Sequence, residues 1–78
     1  MKITINENQH TLLKTTFEAI RQHGKDTKSV ETENHIKELR RLIRTNMRFG
    51  ESLESAVDIA YWAVIEGIDV ENRLTREA

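Results

Sequence analysis

Read along the chain, apolar positions recur every three or four residues in three stretches, and those stretches predict three helices. In the first, Leu13, Thr16, Phe17 and Ile20 share one stripe with Leu12 beside it, while Lys14, Glu18 and Arg21 fall opposite. In the second, Ile36, Leu39, Ile43 and Met47 form the stripe, flanked by Leu42. The third is different. Leu53, Ala56, Val57, Ala60 and Val64 make one apolar face with Tyr61 at its edge, but Ile59, Trp62 and Ala63 point elsewhere and Ile65 lies on a flank. A helix that is apolar all round is normally covered all round.

Punctuation residues set the expected boundaries. Asn6 can cap helix A, with Gln9 three residues later in capping-box spacing, and Gly24 fits the left-handed residue just past its end. Helix A is therefore expected over about 7–23. Helix B is expected over about 30–48 after the polar loop KDTKSVE, with Gly50 as a stop. Ser52 is the expected cap of helix C, and Glu54 sits favourably in its first turn. Gly67 is expected to end helix C near 66, with Ile68 folding back as in a Schellman cap. Before helix A, KITIN alternates apolar and polar residues, which predicts a short strand or extended segment. The expected fold is a single, mostly α, three-helix domain with that extended N-terminal segment.

Size sharpens the question of the third helix. A chain of 78 residues without cysteine has neither disulfides nor thiolate metal sites to support it. Two coverings are conceivable for its outer side. One is internal, from Ile3 and Ile5 of the N-terminal segment or Ile68, Val70 and Leu74 of the tail. The other is an external protein surface anchored by Trp62 and Ile59, with Tyr61 or Ile65. Trp and Tyr are enriched at binding hot spots. The external reading is favoured, with a homodimer ahead of a foreign target.

Charge adds a second feature. The net charge is only −1, yet residues 36–48 carry five Lys or Arg and one acid, while residues 50–71 carry six acids and no Lys or Arg. Lys37, Arg40, Arg41, Arg44 and Arg48 cluster within roughly 100° of helix B. They are expected to pair with acids of the other helices, as exposed charges most often do. The alternatives are an acidic protein partner or, less favoured, phosphates. A helix-turn-helix reading of B and C fails, because C is acidic and apolar where a recognition helix would meet DNA.

The order of short strand, helix, Gly24 and second helix resembles the ribbon-helix-helix repressor family over about residues 2–45. That resemblance implies a dimer whose paired strands enter the major groove, with Lys2, Thr4 and Asn6 facing DNA. The chain departs from the pattern in the longer segment after Gly24, in Glu7 where an apolar residue belongs, and in the extra helix C. It stands as the alternative to a protein-binding regulator or inhibitor.

Nothing points to catalysis. His10, His23 and His35 are scattered without a histidine or cysteine four residues away, and His35 with Glu38 is a common helical spacing. No phosphate loop or nucleophile elbow is present. The expectation is a non-enzymatic cytoplasmic protein without cofactor, metal or small-molecule substrate. No apolar run reaches signal-peptide or membrane-span length. Its size suggests a small regulator of the kind phages and mobile elements encode.

Overall fold

In a computed structural model of the chain, residues 4–77 are described, with side chains described through Leu74. Three helices follow one another: α1 (Glu7–Asp26), α2 (Thr32–Arg48) and α3 (Leu53–Glu77). Every pair of helices is in contact, and α2 and α3 share the most extensive packing. Their core is Ile20, Ile36, Leu39, Ile43, Leu53, Ala56, Val57, Ala60, Val64 and Ile68. All but Ile68 lie on the inward stripes anticipated from periodicity, whose remaining apolar members Leu13, Phe17 and Met47 are only partly buried against this core.

The helix starts follow the sequence signals. The Asn6 side chain accepts from the Gln9 backbone N–H at 2.8 Å, and Gln9 Oε1 accepts from the Asn6 backbone N–H at 3.1 Å. This reciprocal box satisfies two N–H groups that a helix start would otherwise leave bare. Ser52 Oγ accepts from the Ser55 backbone N–H at 3.2 Å at the start of α3.

Two helix ends differ from expectation, and glycine is the reason in both. Gly24 does not stop α1, which runs on to Asp26. Its role is close approach: a Cβ there would lie 2.3 Å from Thr32 Oγ1, so only glycine lets α2 begin this near. The left-handed residue falls later, at Lys28, φ 58°. Gly67 does not stop α3 either. The helix continues to Glu77, and Ile68 joins the core from within it rather than folding back over its end. Gly50, at φ +98°, is the one glycine of the three that turns the chain with a backbone other residues resist.

The N-terminal strand is not found. Residues 4–6 form no strand, and the remainder of that element, Lys2 and Ile3 included, lies outside the described residues. Ile5 instead packs against the helical core. A lone strand with no pairing partner in the chain has no ladder to join, so packing one isoleucine on the bundle is the better use of the segment.

α3 is the longest element, about 37 Å at 1.5 Å per residue. Side-chain bonds tie it to its neighbours at both ends. Gln9 donates to Glu54 at 2.8 Å. Further along, His23 Nε2 meets Asp69 at 2.9 Å and His35 Nε2 meets Glu71 at 2.7 Å. The second pair links α2 to a turn of α3 beyond Gly67.

Candidate functional site

The two faces of α3 can be placed from its helical rotation of about 100° per residue. Leu53, Ala56, Val57, Ala60, Val64 and Ile68 turn inward and are buried. Outside that face, Ile59 is 45% exposed, Trp62 61%, Val70 43% and Leu74 63%. Together with exposed Ala63 they form a second apolar stripe along the helix. The Tyr61 and Trp62 rings meet edge to face with centroids 5.3 Å apart. Tyr61 is half-buried and lines a shallow depression with Leu12, Thr15, Thr16 and Ala19 of α1. Ile65 is half-buried against the core. Of the four proposed anchors, Ile59 and Trp62 therefore project outward, and Tyr61 and Ile65 belong partly to the bundle.

Among the described residues, none of those considered for an internal covering folds over Trp62, and Ile3 lies outside them. Ile5 and Ile68 are committed to the core, while Val70 and Leu74 continue the exposed stripe instead of folding over it. Reading the helix as ending at Gly67 hid the last two members of the stripe. Their spacing of seven and eleven residues from Ala63 was the available signal.

The basic stripe is where helical spacing puts it. Lys37, Arg40, Arg41, Arg44 and Arg48 are all exposed, and with Thr45 they line one shallow surface. The expected pairing with acids of α1 or α3 does not occur among the described residues. Arg41 pairs within its own helix, its Nε donating to Glu38 at 2.9 Å. That hydrogen bond holds the Glu38 carboxyl below its usual pKa of 4.5 and raises Arg41. Arg40 lies over the Phe17 ring at 5.2 Å, a cation–π contact across the α1–α2 boundary. Three acids of α3 are engaged elsewhere, Glu54 with Gln9 and Asp69 and Glu71 with the two histidines. The Gln9 amide, acting first, and a backbone hydrogen bond of Glu54 hold the Glu54 carboxyl below its usual value.

The residues assigned to DNA in the alternative reading are not presented as a ribbon. Thr4 is exposed but not in a strand, the Asn6 carboxamide is engaged in capping α1, and Lys2 lies outside the described residues. Among the described residues no cluster of His, Asp or Glu is arranged to hold a metal, and no helix is long and apolar enough to cross a membrane. For His23 and His35, which carry no recognisable motif, the partners are what sequence reading missed. They lie 46 and 36 positions away on α3, beyond any local pattern.

No protein-family model, curated protein or solved structure matches this chain. Its function is therefore argued from the site alone.

Proposed function

We propose that this protein is a non-enzymatic binding module whose working surface is the outer face of α3, used first of all to form a homodimer. One observation carries the reading: Trp62 is 61% exposed on a helix whose inner face is already filled by its own bundle. An exposed tryptophan alone is unremarkable. Here it is accompanied by Ile59, Val70 and Leu74 on the same outer side of α3, with Glu66 exposed among them, and exposed apolar clusters mark interaction sites. Burying one such side chain fully contributes about 1.5–3 kcal/mol, so a few of them are a substantial part of the roughly 5 kcal/mol that holds a small domain together.

The basic stripe of α2 supplies a second surface, turned to solvent, where among the described residues only Arg41 has an acidic partner, Glu38 of the same helix. In this reading it selects an acidic protein target of a small regulator or inhibitor, while the α3 face sets the oligomeric state. Long-range attraction from such a stripe accelerates encounter more than it strengthens the final complex. The ribbon-helix-helix alternative has less support, since its groove-facing Asn6 is occupied as a helix cap.

Sedimentation velocity over a dilution series tests the proposal. The wild-type chain should move from a 9.1 kDa monomer toward a dimer as concentration rises. Ile59→Glu should remain monomeric with an unchanged far-ultraviolet circular dichroism spectrum, because Ile59 is outside the core. A wild type that stays monomeric at the highest attainable concentration would remove the homodimer.

A further inference from the structure

The boundary between α1 and α2 carries an open apolar trough. Leu13 and Phe17 of α1 face Ile43 and Met47 of α2 there, and with Ile5 and Leu53 they line a space of about 250 Å³. Ile43 belongs to the buried core, while Leu13, Phe17 and Met47 are only partly buried against it and keep an apolar side toward the trough. Arg40 lines this trough, the adjoining surface of α1 at Lys14 and Arg21, and the basic stripe of α2, so the three depressions are continuous. Along α2 the surface runs from Lys37 to Arg48, about 16 Å or about three helical turns.

Charge identifies what fits there. Lys14 and Arg21 stand on the α1 side, and Arg40 and Arg44 stand on the α2 side. Among the described residues only two cations of this surface have an acidic partner, Arg21 with Glu33 and Arg41 with Glu38. Arg40 is held over the Phe17 ring at 5.2 Å, and a guanidinium in that position keeps N–H donors for an incoming carboxylate. We propose that the trough receives an acidic amphipathic helix of a partner protein. Its apolar side chains seat among Leu13, Phe17 and Met47, and its carboxylates meet Arg40, Arg44 and the neighbouring cations. This step rests on the proposed selection of an acidic target by α2, and adds where that target sits and what form it takes.

The shape of the surface favours this occupant over others. A helix lays apolar anchors at i, i+3, i+4 and i+7 into a groove, and the length of the trough holds that set. Phosphates would use the cations and leave the apolar floor empty. Base stacking needs an open aromatic face, and the face of Phe17 is taken by Arg40. A membrane surface is met by apolar side chains that project from a helix, whereas these line a concavity. The space is also below the range of about 300–1,000 Å³ usual for small-molecule pockets. Glu18 is the one acid among the described residues lining this surface, and it stands beside Lys14 and Arg21. The more basic end is therefore that of Arg44 and Arg48, where the carboxylates of the partner concentrate.

Fluorescence anisotropy with a defined probe tests the site. The probe is a labelled helical peptide with leucines at i, i+3, i+4 and i+7 and glutamates on its other side, and its control replaces the leucines with serine. The full chain should bind the leucine peptide several-fold more tightly than the serine peptide, and added salt should weaken both. Arg44→Gln and Met47→Gln should each weaken binding of the leucine peptide several-fold while preserving the circular dichroism spectrum. Arg73→Gln, which removes the same charge from α3, and Trp62→Ala, on its outer face, should leave binding unchanged. Equal binding of the two peptides, unaltered by Met47→Gln, would overturn the trough and leave the basic stripe as a selector of acidic targets. Failure of both peptides to bind would remove the stripe's acidic target as well. A DNA duplex that binds more tightly than the leucine peptide at the same salt would overturn the inference in favour of a nucleic-acid surface.

Discussion

Gly67→Ala separates what α3 needs for its own stability from what its outer face is for. Glycine inside a helix costs about 0.8–1.0 kcal/mol relative to alanine, because the unfolded chain gives up more freedom. Within this chain that cost has no compensating contact, since a Cβ at Gly67 would enter open space. The substitution should therefore stabilise the folded monomer by about 1 kcal/mol, which in a domain of this size raises Tm by about 4–8 °C. Gly24→Ala is the counterpart. Its Cβ would come within 2.3 Å of Thr32 Oγ1 and 2.9 Å of Thr32 Cγ2. Thr32 cannot move freely, because its hydroxyl donates to the Ser29 carbonyl at 3.1 Å where α2 begins. Overpacking there should outweigh the propensity gain and cost about 1–3 kcal/mol. Both variants are best measured by urea unfolding in the Ile59→Glu background, where association does not contribute to the midpoint. The same substitution in two helical glycines should move stability in opposite directions. Loss of stability in Gly67→Ala, or a gain in Gly24→Ala, would refute the packing assigned to either position.

Three further outcomes follow from the packing, the charges and the exposed stripe. Ile68→Ala should cost about 2–5 kcal/mol, as for a buried aliphatic cavity, and should loosen amide protection in residues 64–74 before the rest of the chain; a cost under about 1 kcal/mol, that of a peripheral residue, would return Ile68 to the helix end. Glu54 has its folded pKa held below 4.5 by Gln9, so its contribution is present above that pH and fades as pH falls through the lower folded value. Wild type should accordingly lose ground to Glu54→Gln on acidification below pH 4.5, and parallel pH–stability curves would show that the contact with Gln9 is not maintained in solution. Trp62→Ala should weaken self-association at least tenfold while leaving the unfolding midpoint of the dilute monomer within about 0.5 kcal/mol of wild type, as for an exposed position; a large stability loss would place the ring inside the bundle.

Much of this architecture could be read from residue order, and the failures share one cause. Inward stripes and helix starts are local properties: Leu39 and Ile43 declare themselves by spacing, and Asn6 with Gln9 by hydrogen-bonding capacity. Helix ends at glycine are not local. Gly24 exists for the approach of Thr32, a contact between two helices, and Gly50 for a positive φ, yet in sequence they look alike. At Gly67 the decisive information was Ile68, which sits four residues beyond Val64 on the same inward face and keeps the helix going. The outer stripe was legible only in part for the same reason, Val70 and Leu74 having been assigned to a tail. The basic stripe of α2 was legible in full as a face. That no acid of α1 or α3 pairs with it among the described residues was not, because Asp69 and Glu71 are drawn to His23 and His35 by the way three helices pack rather than by the excess of opposite charge on the chain.

The central claim is that a second molecule covers the outer face of α3. The chain carries a single tryptophan, and it stands on that face, so the emission maximum of Trp62 followed across a dilution series reports the claim directly. The account predicts a water-exposed, red-shifted spectrum in the dilute limit that moves to the blue as copies associate, along the same concentration curve as sedimentation. A maximum that stays red at every concentration, or one already blue in the dilute monomer, would contradict it.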